Sequence, residues 1–134
     1  MSDPLRELLA RARTIAVVGL SDDATRPAYG VAQYMQQHGY RILPVHPTAQ
    51  SVLGEKVYRT LTQAAGEHTI DIVDVFRRPD AVPAIVEEVL ALHLPALWLQ
   101  ETVVHEQAAE RARRAGVLVV MDRCILKEHR RLGL

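Results

Sequence analysis

The sequence predicts an α/β fold: three layers, doubly wound, around a mostly parallel five-stranded sheet. Three observations carry this. Five short apolar runs, Ile15–Val18, Tyr40–Val45, Ile70–Phe76, Ala96–Leu99 and Val117–Met121, alternate with helical stretches of roughly ten to fourteen residues, the rhythm of βαβ units. The run Val117–Met121 is wholly apolar, as a strand covered on both faces would be. The second run contains Pro44, which cannot donate to a ladder and so marks an edge strand or a last bonded position. With right-handed crossovers this favours the strand order 2-1-3-4-5, a Rossmann-like arrangement whose ligand crevice opens between strands one and three.

Each element has its own reason. Residues 4–12 place Leu5, Leu8, Leu9 and Ala12 on one helical face behind Pro4, and predict a short lead-in helix. The stretch 14–35 reads as strand, glycine turn at Gly19, polar loop and helix. Thr25 is the expected N-cap and Pro27 falls in the first turn. In the helix over 27–38, Ala28, Val31, Ala32 and Met35 form the buried stripe, and Gly30 beside it is expected to let the first strand approach. Gly39 ends it. His46–Gly54 reads as loop, Val57–Tyr58 as a very short strand, and Leu61–Ala65 as a single helical turn stopping at Gly66. Asp80 is the expected cap of a helix burying Val82, Ile85, Val86, Val89 and Leu90. A helix over 104–115 turns Ala108, Ala109, Ala112 and Ala115 inward, and a charged helix over 122–131 closes the chain.

Composition narrows the function. The 134 residues, 49% of them apolar, suit one domain with a real core. Sixteen basic residues balance sixteen acidic ones, so no net basic field draws the chain to nucleic acid or a membrane surface. The one cysteine, Cys124, forms no internal disulfide, and the scattered histidines lack metal-ligand spacing. No run approaches the roughly 20 apolar residues that span a bilayer, and Met1–Ala10 carries charges where a signal peptide has an apolar core. A soluble cytoplasmic protein is expected.

The carboxyl ends of the predicted strands collect five stretches: Gly19–Pro27, His46–Thr48, Phe76–Pro79, Gln100–Thr102 and Asp122–Cys124. A strand ending in glycine before a helix N-terminus leaves amides free to seat a phosphate. Gly19, Leu20 and Ser21 would form that seat, with Arg26 and Pro27 at its far side; the plainer reading is a tight turn with a capping serine. Arg77 and Arg78 each offer a rigid fork of donors to a phosphate, against the alternative of solvated surface charge. Phe76 reads first as core. His46 and Pro47 end strand two where a dinucleotide site would put an acidic residue ~20 residues beyond the glycines. Its absence counts against NAD. Gln100 and Glu101 can line the mouth. Cys124 lies where a helix N-terminus can activate a thiol, though a structural cysteine is the simpler reading.

The stretches AVVGLSDDATRPAYGVAQYM, GYRILPVHP, DIVDVFRRP, ALWLQ and VVMDRC together resemble the small stand-alone CoA-binding proteins. These are similar to the nucleotide-binding domain of the succinyl-CoA synthetase α subunit. The resemblance runs from about Thr14 to Arg131 and implies one Rossmann-like domain that binds coenzyme A or an acyl-CoA. It places the pyrophosphate near Gly19–Ser21 and Arg26, the adenosine along His46–Pro47, and the Phe76–Arg77–Arg78 turn in the same groove. Two departures stand out. Relatives often carry Lys or Arg after the proline that ends strand two, where this chain has Thr48, so Arg77 or Arg78 would have to meet the 3′-phosphate. Relatives usually have glycine where this chain has Glu101–Thr102. The catalytic histidine of the synthetase belongs to a second domain, so ligand binding carries over and a reaction does not. The rival reading is a small transferase or thiol-redox enzyme using Cys124 on a CoA thioester or disulfide. A phosphoacceptor switch, suggested by Asp22–Asp23, ranks last because strand three ends in Phe76–Arg77. A homo-oligomer or a partner enzyme stays open.

Overall fold

Apolar residues on both faces of the main sheet set it between two helical layers. The structure, a computed structural model, describes residues 3–134. Seven strands occur in chain order: β1 (Thr14–Val18), β2 (Arg41–Val45), β3 (Ser51–Val52), β4 (Glu55–Lys56), β5 (Ile72–Val75), β6 (Ala96–Leu99) and β7 (Leu118–Val120). The helices are α1 (Pro4–Arg11), α2 (Pro27–Gln37), α3 (Leu61–Glu67), α4 (Val82–Ala91), α5 (Glu106–Arg114) and α6 (Ile125–Arg131). The main sheet is parallel throughout, in the order β2-β1-β5-β6-β7, which is the predicted 2-1-3-4-5 once β3 and β4 are set aside. Among the described residues, no helix is long and apolar enough to cross a membrane.

Residue alternation along the strands divides the core in two. Ala16, Val18, Leu43, Val73, Val75, Leu97 and Leu99 face α3, α4 and α5. Ile15, Val17, Ile42, Ile72, Trp98 and Val120 face α1, α2 and α6. Burying an aliphatic side chain stabilises by about 1.5–3 kcal/mol, so these two seams hold both helical layers in place.

Several local expectations are corrected, each for a physical reason. The Thr25 hydroxyl donates to Asp23 Oδ1 at 2.6 Å, so Arg26 takes the N-cap position of α2 without a side-chain bond. Asp80 lies inside a 3₁₀ turn, Pro79–Ala81, that leads into α4 and caps nothing. Gly66 sits within α3, whose cap is Thr60, accepting from the Gln63 amide. α5 begins later than expected because the His105 ring accepts from the Ala108 amide and caps it; Ala115 is exposed beyond its end. The closing helix also starts late, at Ile125. β7 is the second edge of the sheet, and Leu118 and Val119 are half-buried rather than covered on both faces.

At the β2 edge, Val57–Tyr58 forms no strand of its own. β3 and β4 make an antiparallel hairpin, and Tyr58 bridges to Val45 in parallel. Tyr58 N donates to Pro44 O, so Pro44, within an edge strand as anticipated, presents its missing N–H on the outer side, where only this single bridge forms.

Candidate functional site

The carboxyl ends of the five parallel strands surround a cleft of about 1130 Å³. Its walls come from the β1–α2 loop, the end of β2, the β5–α4 turn, the β6–α5 loop and the start of α6. Of the residues singled out by sequence, Gly19, Ser21, Arg26, Pro27, His46, Pro47, Phe76, Arg77, Arg78 and Gln100 all line it. Leu20 does not: it is fully buried in the core under α2. Cys124, Glu101 and Thr102 line the cleft as well, joined by Gly30, Val31, Leu126 and Lys127.

Close approach occurs at Gly19 and not at Gly30. Gly19 has φ +95°, and a Cβ there would lie 2.3 Å from the Phe76 carbonyl oxygen. A Cβ at Gly30 would meet nothing within 4 Å, so that residue opens the cleft instead of tightening a helix–strand contact. The Gly19 amide is spoken for, donating to Val45 O at 2.9 Å. Asp23 N donates to Ser21 Oγ, Thr25 N to Asp23 Oδ1, and Arg26 N to Asp23 O. The amides of Leu20, Ser21 and Asp22 find no acceptor among the described residues, so the unbonded run begins one residue after the glycine.

These same bonds tie the Asp23 carboxylate to Thr25. The Thr25 hydroxyl and amide, with Arg26 nearby, hold its carboxyl below the usual carboxylate range. The cations are loosely held. Arg26 lies 3.6 Å from Asp23 and Arg78 4.0 Å from Asp80, both largely exposed, while the Arg77 side chain runs beside Gly19. Exposed pairs of this kind contribute about 0–1 kcal/mol, so little is lost when a ligand anion takes the guanidinium.

At the β2 end, His46 Nδ1 accepts from the amides of Thr48 and Ala49. An imidazole accepting at Nδ1 carries its neutral-state proton on Nε2. The ring therefore folds the loop around itself and keeps one donor.

The opposite end is internally bonded. Gln100, 5% exposed, accepts from Ile125 N through Oε1 and so caps α6, which Cys124 leaves without a side-chain bond. Lys127 Nζ bonds Glu101 at 3.0 Å, and Thr102 N donates to Asp122 Oδ1 at 2.8 Å. Trp98 Nε1 donates to Arg123 O. Cys124 is 8% exposed.

Sequence reasoning passed over Asp74. It stands in β5 beside Val17 and Trp98, is 2% exposed, and its Oδ1 has no partner. Burial pushes its carboxyl well above the usual carboxylate range. The alternation of acid and apolar residues in IDIVDVF was the available signal, but it could not separate Asp71, which bonds the Arg13 and Thr14 amides, from Asp74.

A family model described as CoA binding domain matches residues 13–130. The chain belongs to the CoA binding domain family. It is 42% identical over 125 residues to the uncharacterized protein YneT of Bacillus subtilis, covering 93% of this chain and 91% of that one. A solved structure from Thermus thermophilus superposes with a TM-score of 0.92 at 41% identity, covering 98% of this chain and 99% of that one. The dinucleotide-forming acetyl-coenzyme A synthetase 1 of Ca. Korarchaeum cryptofilum shares the fold at a TM-score of 0.73 and 20% identity; the match takes in 91% of this chain and 28% of that one.

Proposed function

We propose that the cleft binds coenzyme A or an acyl-CoA. The diphosphate lies on the amides of Leu20–Asp22 between Arg26 and Arg77–Arg78, and the adenosine follows His46 and Pro47. The observation that carries this is the convergence of unbonded amides and weakly paired guanidinium groups on one cleft, at the carboxyl ends of the neighbouring strands β1 and β5. That is the crevice where doubly wound sheets bind nucleotides. The cleft exceeds the roughly 300–1,000 Å³ of ordinary ligand pockets, as an extended ligand with a long arm requires. His46, in place of an acidic residue at the ribose position, supports CoA over NAD.

Thermal melting with CoA and with NAD tests the reading. A ligand at 100 times its dissociation constant adds about 2.7 kcal/mol of stability. Stabilisation by CoA but not NAD is expected; the reverse result overturns the proposal.

A second reading draws on the presence of Cys124 in the cleft wall. Its Sγ would attack a CoA thioester carbonyl, taking the acyl group and releasing the CoA thiol. Acyl transfer that persists in Cys124→Ser would remove this reading and leave CoA binding untouched.

A further inference from the structure

The cleft holds its diphosphate seat near β1 and β5, yet the adenosine end at β2 has no basic residue in the loop that lines it. His46–Ala49 offers Thr48 where a cation would meet the phosphate on the ribose. A basic residue distant in sequence is delivered to the same place. The parallel bridge Val45–Tyr58 brings the chain back beside the end of β2. The next residue is Arg59. Its Nη1 donates to His46 O at 3.0 Å and to Ala49 O at 2.6 Å, clasping the loop whose histidine faces the cleft.

We propose that Arg59 is the residue that reads the 3′-phosphate of coenzyme A, together with the Nε2–H of His46. This rests on the CoA reading of the cleft. Three further observations support it.

The first concerns donors. Both hydrogens of Nη1 point at loop carbonyls, while Nε and Nη2 make no hydrogen bond among the described residues. Two donors therefore remain in the planar fork that suits a phosphate. The two carbonyl bonds also fix the guanidinium in advance, so less side-chain freedom is lost on binding.

The second concerns competition. Arg59 takes part in none of the ion pairs among the described residues. The neighbouring cations are engaged: Arg41 with Glu55 at 3.0 Å and Lys56 with Glu67 at 2.9 Å. No displacement of a carboxylate precedes phosphate binding at Arg59.

The third concerns distance. Arg77 and Arg78 follow β5, two strand positions from β2, and neighbouring strands lie about 4.8 Å apart. A diphosphate seated between β1 and β5 occupies those arginines. In the proposed pose the ribose lies at the β2 end, and Arg59, bonded to the carbonyls of His46 and Ala49, stands beside that end, outside the residues that wall the cleft.

Dephospho-CoA differs from CoA by this phosphate alone, so the affinity ratio of the two ligands isolates the contact. Calorimetric titration of the wild type, Arg59→Gln and Arg77→Gln with both ligands is the test. The wild type is expected to prefer CoA by ten-fold or more, the size of a charge-assisted contact. Arg59→Gln should bring that ratio close to one while dephospho-CoA affinity stays within about two-fold. Arg77→Gln should weaken both ligands and preserve the ratio. If Arg59→Gln weakens both ligands equally, the residue acts through the loop alone and the proposal falls. Equal wild-type affinity for the two ligands also overturns it, as does loss of the ratio in Arg77→Gln. Failure of the wild type to bind either ligand would remove the CoA reading itself.

Discussion

The two ends of the cleft are built on opposite plans. Around Gly19 the backbone leaves amides unbonded, and Arg26 and Arg78 are held only by exposed pairs 3.6–4.0 Å long. Around Gln100 the polar groups bond one another: Oε1 to Ile125 N, Lys127 to Glu101, Asp122 to Thr102 N. The first end offers unused donors to an anion. The second offers shape, held by bonds the protein makes with itself. A ligand with a charged head and a neutral, flexible arm matches that gradient.

The sharpest way to break the contrast is at its tightest point. Gly19→Ala drives a Cβ against the Phe76 carbonyl at a φ of +95°. It should cost about 3 kcal/mol or more, combining backbone strain with displacement of the β5 end, and denaturant unfolding would measure it. Next in size, Arg77→Glu with Arg78→Glu should weaken CoA binding by about 100-fold, near 2.7 kcal/mol, while the stability of the free protein changes by no more than about 0.5 kcal/mol. Unchanged affinity in a titration would mark these arginines as ordinary surface charge. At the committed end, Gln100→Ala removes the acceptor for Ile125 N and should cost about 1 kcal/mol, read as a lower melting temperature with α6 losing exchange protection first. The smallest effect belongs to Lys127→Ala, because an exposed pair with Glu101 contributes under about 1 kcal/mol.

Between the two ends lies Asp74, whose behaviour with pH has a definite sign. Its carboxyl is raised in the folded state, so folding binds the proton more tightly than the unfolded chain does. The stability it contributes is complete below the ordinary carboxylate value and is lost as pH rises towards the raised one. Asp74→Asn should flatten the decline of stability as pH rises above the ordinary carboxylate range. An unchanged slope in urea unfolding would show that the carboxyl does not hold its proton.

The strand order was legible because it depends on features that survive burial: apolar runs, glycine ends and one edge proline at Pro44. The cleft was legible because topology alone gathers the ends of parallel strands. What stayed hidden depends on side chains that act at a distance or against type. Gln100 caps a helix that begins 25 residues later, and His105 caps one with an imidazole where Ser, Thr, Asp or Asn is the usual choice. The β3–β4 hairpin turns on Leu53 at φ +52° and Gly54 at φ +76°, and a leucine in the left-handed region carries no turn signal. Arg59 could not be placed near His46 from sequence, because a single bridge from Tyr58 to Val45 brings it there.

That bridging of distant segments has a counterpart at the other lip. Trp98 is the chain's one tryptophan, and its indole holds the carbonyl of Arg123, immediately before the turn that carries Cys124. The protein therefore carries an intrinsic fluorophore wired to the rim of its own ligand cleft. A change in its emission on adding CoA is the expected sign that this rim moves or is covered, and needs no attached dye.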